Sequence, residues 1–246
     1  MSRLSNIFSV LGLDSTDDAE ELSAIASSSK ANSSAKPDKE KQKESFKDKK
    51  HTNGEAASFL DELKKPLVWI DLEMTGLDVT QDRILEIACV ITDGKLTKTI
   101  EGPDLVISQP KDCLDNMGDW CTSHHAASGL TERVLRSTIS EREAEKQVLD
   151  FVKKHIGSQT PQLAGNSVYV DYLFLKKYMP SLALIFPHVL VDVSSIMALC
   201  IRWFPKEKKM APAKEKRHRA MDDIKESIKE LKFYKENIFK LQKRSR

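Results

Sequence analysis

The chain has 246 residues, with 39 Lys+Arg against 37 Asp+Glu and a formal net charge of +2. At 40% hydrophobic and 31% charged residues, it has slightly charge-rich globular usage, which excludes collagen-like and disulfide-scaffold classes. The near balance of charge argues against a protein that coats long duplex nucleic acid, and leaves room for a short anionic substrate.

At the N-terminus, Leu4, Ile7, Phe8 and Leu11 fall at helical spacing, enough for a short amphipathic turn. Residues 1–22 could address the chain to an organelle, but Asp14, Asp17, Asp18, Glu20 and Glu21 follow at once, and transit peptides are poor in acids. Cytosol and mitochondrion both stay open. Residues 23–65 are rich in Ser, Lys, Glu, Ala and Asp. Their apolar surface is too small to offset an ordering entropy of roughly 1–2 kcal/mol per residue, so a disordered linker is expected.

Residues 66–246 carry the pattern of one folded domain. The apolar runs LVWIDLEM (67–74) and ILEIACVIT (84–92) predict two strands. Asp93-Gly94 is a hairpin signal leading to a third at 96–100, and 105–108 is a further extended piece. Residues 141–155 predict a helix with Ala144, Val148, Phe151 and Val152 on one stripe, opened by a Ser140/Glu143 capping box. A strand at 162–164, a helix at 171–178, a strand at 189–193 and helices at 195–203 and 220–241 complete the pattern. A meander followed by alternation predicts an α/β domain with a mixed sheet flanked by helices. No run of about 18 apolar residues exists that would span a membrane. Cys89, Cys113, Cys121 and Cys200 form no C-x-x-C pair, so zinc and disulfide frameworks are not expected and a reducing intracellular home is.

Acids interrupt this apolar pattern at informative places. In a strand, Asp71 and Glu73 share a face with a rise of about 6.6 Å between them, and two such carboxylates repel unless one protonates or a cation intervenes. Read alone, Asp71 can simply cap a turn and Glu73 be exposed. Asp171 opens a helix, where an acid is usually an N-cap worth about 0.5–2 kcal/mol. On the last helix, with Ile224 at zero, Ile228, Leu231, Tyr234 and Ile238 fall between about +40° and −80°, Asp223 at about −100° and Asp222 at about 160°. Asp223 therefore edges the buried stripe and Asp222 faces solvent. His218 precedes this helix on the loop side.

Taken together, D-x-E on the first strand, a mid-domain Asp at a helix start and H-x-A-x-x-D at the last helix resemble the 3′→5′ exonuclease superfamily with four acids and one histidine (DEDDh), of ribonuclease H-like fold. VWIDLEMTGLD, DW-C-x-x-HH-x-x-SGL, GNSVYVD, YMP and HRAMDDIKESIKEL resemble its oligoribonuclease family, over about residues 66–239. The resemblance implies an exoribonuclease cutting short single-stranded RNA, dinucleotides to pentanucleotides, to nucleoside 5′-monophosphates, and a homodimer. It makes Asp71, Glu73, Asp171 and Asp223 ligands of two Mg²⁺ or Mn²⁺ ions, whose +4 balances the four carboxylates. It makes His218 the general base, a task that suits an imidazole pKa near 6.5.

For substrate contacts the resemblance implies Leu77 wedged against a base, Trp120 packed on the terminal nucleotide, and His125 and Ser167 near the phosphates. Base–aromatic stacking of about 1–3 kcal/mol ignores base identity, although either apolar residue alone would more often be core. His124 is expected to be an exposed neighbour, and Gly76 to let a nucleotide approach the backbone. The loop 206–219 holds seven Lys/Arg and two Glu, a solvated run that can draw in an anion. The chain departs from the family where a Tyr-Arg pair usually caps a 5′ phosphate. It has His188-Val189 there, with Ser194 left to donate one neutral hydrogen bond.

Overall fold

The computed structural model describes residues 63–213 and 219–239. Strand β1 (Leu67–Met74) alternates its side chains between two apolar clusters. It pairs antiparallel with β2 (Ile84–Thr92), which pairs antiparallel with β3 (Thr99–Val106). On its other edge β1 pairs parallel with β4 (Gln162–Gly165), which pairs parallel with β5 (Val191–Asp192), giving the order β3-β2-β1-β4-β5. Three short helices, α1 (Lys111–Asp115), α2 (Asp119–Ala127) and α3 (Leu130–Arg136), follow β3. Then come α4 (Glu141–Ile156), α5 (Tyr169–Tyr178), α6 (Pro180–Ala183), α7 (Val193–Trp203), α8 (Pro205–Lys208) and α9 (Ala220–Asn237). The expected mixed sheet flanked by helices is the one observed.

Both faces of the sheet are covered, which is why β2 is buried at all nine positions. Val68, Ile70 and Leu72 pack with Ala144, Val148 and Val152 of α4 and Phe174 and Leu175 of α5. Leu67 and Trp69 pack with Val193 and Cys200 of α7 and Ile224, Leu231 and Tyr234 of α9. Each such aliphatic side chain contributes about 1.5–3 kcal/mol when fully buried. Ser140 caps α4, its hydroxyl accepting from the Glu143 N–H at 3.2 Å. Leu63, placed in the linker by composition, is only 2% exposed and belongs to the first cluster.

Several expected elements are redrawn. The strand expected at 96–100 is largely a loop. The Asp93 carboxylate accepts from the Thr97 N–H (2.6 Å) and the Lys98 N–H (2.9 Å), and Leu96 turns with φ 58°. The ends of the two expected pieces, residues 99–100 and 105–106, belong to one strand, β3, running through Gly102-Pro103. Proline is tolerated because β3 is an edge strand whose register shifts between Ala88 and Val90. A Cβ at Gly102 would stand 2.3 Å from the Phe151 ring, so glycine there lets α4 dock on the strand. The strand expected at 189–193 shrinks to Val191–Asp192, because Asp192 accepts from the Ser194 N–H at 2.9 Å and starts α7.

Candidate active site

Asp71 and Glu73 continue the face of β1 that begins with Leu67 and Trp69, so they point toward α9 where the apolar packing ends. The β1–β2 register shifts between Glu73 and Met74, a bulge at the strand's carboxyl end of the kind that re-aims side chains beside functional sites. From α9, Asp223 comes to meet them. One carboxylate oxygen from each of Asp71, Glu73 and Asp223 lies within 4.8 Å of the other two.

Asp171 is the third residue of α5 rather than its N-cap; the cap is Val168, without a side-chain bond. The Asp171 carboxylate accepts instead from the Leu72 N–H at 2.9 Å, between Asp71 and Glu73 in the chain. That N–H is available because the β1–β4 ladder ends at Trp69 and Ala164. All four acids thus converge where two parallel strands end, a usual place for a site in an α/β sheet. His218 lies outside the described residues.

Crowding shifts these groups as the charges require. Burial, then Asp171, Asp223 and Glu73, hold the Asp71 carboxyl well above the ordinary range. Burial, then Asp223 and Glu86, push Glu73 up to about 8. Burial raises Asp171 to about 7, against the opposing bond from Leu72. An all-oxygen, mutually repelling donor set fits a hard divalent cation.

The remaining candidate residues surround this cluster. Leu77 is half-buried on the loop after β1. A Cβ on the preceding Gly76 would stand 2.4 Å from Asp82 Oδ2. The glycine therefore makes room for a carboxylate of this chain. Asp82 in turn accepts from Thr75 Oγ1 and from the Asp78 N–H, both at 2.8 Å, and so ties down the loop. Trp120 is 36% exposed, not core, and stacks on His124 with centroids 3.8 Å apart. His124 is thus a half-buried brace rather than an exposed neighbour. His125 is buried; its Nε2 donates to Met74 O at 2.9 Å and its Nδ1 lies 3.9 Å from Glu73 Oε2. Burial lowers its pKa, which favours the neutral ring, against the opposing bond to Met74.

Ser167 adopts φ 53°, a left-handed conformation held by its N–H donating to Asp192 Oδ1 (3.0 Å) and Ser194 Oγ (3.1 Å). Ser194 donates its hydroxyl proton to Asp192 at 2.6 Å, so it is not idle in the way expected for a phosphate donor. Three residues the sequence reading passed over, Glu86, Asp82 and Asp192, hold the site's frame. Glu86 carried the same signal as Asp71, an acid inside an apolar strand.

Known proteins resemble this chain in sequence and fold. A family model described as Exonuclease matches residues 68–231. An oligoribonuclease of Arabidopsis thaliana is 60% identical over 243 residues, covering 99% of this chain and 100% of that one. The chain belongs to the oligoribonuclease family. Other members include the human "Oligoribonuclease, mitochondrial", 49% identical over 76% of this chain and 79% of its own length. An oligoribonuclease of Marinobacter nauticus is 49% identical over 71% of this chain and 97% of its own. Among solved structures, the zinc-bound E. coli ExoI–ssDNA complex superposes with a TM-score of 0.55 at 15% identity, over 72% of this chain and 42% of that one. This oligoribonuclease-family chain spans under half of that larger exonuclease, and at such identity the likeness is one of fold.

Proposed function

We propose that this chain removes nucleotides one at a time from the 3′ end of short single-stranded RNA, releasing nucleoside 5′-monophosphates. The observation that carries the reading is the meeting of Asp71, Glu73 and Asp223, with Asp171 bonded beside them, in a chain of this family. These four carboxylates would hold two Mg²⁺ or Mn²⁺ ions. Bound there, such ions acidify water and neutralise charge building on the scissile phosphate. His218 takes the proton of the attacking water, and His218→Ala should lower kcat by roughly 10²–10⁴-fold. Leu77 and Trp120 grip bases without reading them, the latter braced by His124. Ser167 and His125 lie toward the phosphates, His125 acting from beneath the surface through Met74 and Glu73.

The chain works as a homodimer. An apolar face on α7 supports this, with Leu199 43% and Trp203 65% exposed one turn apart. Sedimentation of the wild type as a dimer, and of Trp203→Glu as a monomer, checks it. No helix among the described residues is long and apolar enough to cross a membrane. A fluorescent fusion of residues 1–60 decides between cytosol and mitochondrion, the compartment printed in the human relative's name.

The deciding assay compares labelled RNA dinucleotide, RNA 20-mer and DNA dinucleotide in Mg²⁺. Fast mononucleotide release from the RNA dinucleotide is expected. Preference for the 20-mer or for DNA would assign the chain to long-substrate exonucleases instead.

A further inference from the structure

Glu86 is a buried carboxylate that the proposed chemistry does not use. It is fully buried in the middle of the meander, directly opposite Glu73 in the β1–β2 register. An isolated ion in such a place is very costly, and side chains from several elements meet it, among them Asp104 of β3, which shares a hydrogen bond with it. Arg219 grips it with a two-pronged contact, Nη2 to Oε1 at 2.8 Å and Nε to Oε2 at 3.3 Å. The Ala220 N–H, the first of α9, donates to Oε2 at 3.4 Å. Arg133 of α3 adds a third contact at 3.3 Å.

We propose that Glu86 is a positioning residue that fastens the N-terminal end of α9 to β2 and so sets Asp223 in register with Asp71 and Glu73. The link is short and entirely within the chain. The carbonyl of Arg219, whose side chain Glu86 holds, accepts the Asp223 N–H at 3.0 Å, so the bond that fixes Asp223's backbone starts at the clamped residue. Glu86 thus joins the strand opposite Glu73 to the turn that delivers Asp223. The clamp also takes Arg219 out of the basic loop: its charge is committed to Glu86 rather than presented to substrate. Arg133 holds the same carboxylate from a helix that carries none of the four acids, which makes it the natural control.

This inference rests on the metal-dependent reading of the acidic cluster, and its test separates the two. Mn²⁺ binding to the full chain is measured by electron paramagnetic resonance without substrate. Far-UV circular dichroism, Tm and steady-state kinetics on an RNA dinucleotide are recorded beside it. For Glu86→Gln, we expect Mn²⁺ affinity and kcat each to fall about 10–100-fold, the usual effect of losing a support behind a metal site, with KM changed by less than about threefold. Arg219→Lys keeps the charge but loses the fork and should fall in between. It tests the clamp even if Glu86→Gln does not fold. Arg133→Ala should lower Tm while leaving Mn²⁺ affinity near wild type. A merely structural Glu86 would lower Tm and leave the folded protein's Mn²⁺ affinity and kcat unchanged, and that result in either clamp variant overturns the proposal. Wild type that binds Mn²⁺ but cuts no RNA would overturn the functional reading alone, and the variants' Mn²⁺ affinities would still decide the clamp.

Discussion

Asp71, Glu73 and Asp171 all hold protons more tightly than ordinary carboxyls because burial and their neighbours disfavour charge. Glu73 is raised to about 8 and Asp171 to about 7. Unfolded, these groups titrate near the ordinary values of about 4, so between about pH 4 and pH 8 the folded state binds more protons than the unfolded one. The stability of the metal-free protein must then fall as pH rises through that window. Its Tm in excess chelator should be lower at pH 8 than at pH 5, and Mg²⁺ should recover most of the difference at pH 8. A chelated protein equally stable at both values would remove the repulsion argument. At the same scale, Asp223→Asn should lower kcat by more than about 100-fold, since even a group behind a metal ligand is commonly worth 10–100-fold. Asp222→Asn should cost far less, because Asp222 is outside the cluster. Equal losses for the two would mean the helix face has been misjudged.

At the level of elements, the substrate loop shows how a small residue can hold a site. Gly76→Ala would press a methyl group into Asp82, which anchors Thr75 and Asp78. We expect a loss of about 1–3 kcal/mol in stability, typical of overpacking, and a raised KM as Leu77 shifts. Unchanged KM in a folded Gly76→Ala protein would detach Leu77 from substrate. The same loop marks what a sequence can disclose. The apolar runs 67–74 and 84–92 coincide with β1 and β2 because β2 is buried throughout and β1 is buried at every position but Asp71, Glu73 and Met74. Residues 96–106 misled because local signals, Asp93-Gly94 and Gly102-Pro103, are overridden by side-chain bonds from Asp93 and by the freedom of an edge strand. On α9, the buried stripe includes Ser227 and Glu230, which a hydrophobic count leaves out. Including them turns the centre of the face about 20° toward Asp223 and extends its edge to about −120°, so Asp223 sits inside the stripe rather than at its edge. The acids were legible because charge in an apolar strand is conspicuous. Their supports, Asp82 and Asp192, were not, because a surface-type acid in a loop carries no such contrast.

For the molecule as a whole, the open question of specificity is how firmly it prefers the shortest substrates, and several parts of the surface bear on it together. Where the family resemblance leads one to expect a Tyr-Arg pair, this chain presents His188 and Val189, both exposed, Val189 by 51%. Ser194, the neutral donor left nearby, already gives its proton to Asp192 and helps hold Ser167. Arg219, one of the seven cations of the loop 206–219, is clamped by Glu86. A firm charge-assisted grip on a 5′ phosphate contributes about 1.5–3 kcal/mol, or roughly 10–150-fold. Without it, kcat/KM for RNA of two, three and four nucleotides should agree within about tenfold. Whatever attraction remains comes from exposed lysines of that loop, whose reach shrinks as the screening length falls from about 10 Å at 0.1 M salt to about 3 Å at 1 M. Raising salt should therefore lower kcat/KM for a 5′-phosphorylated dinucleotide more than for its unphosphorylated form, and bring the two together. Measuring lengths two to seven, with and without the 5′ phosphate, at low and high salt, decides the matter. A steep drop beyond two nucleotides that ignores salt would mean that a buried, permanent cap forms when substrate binds, and that Ser194 leaves Asp192 to complete it.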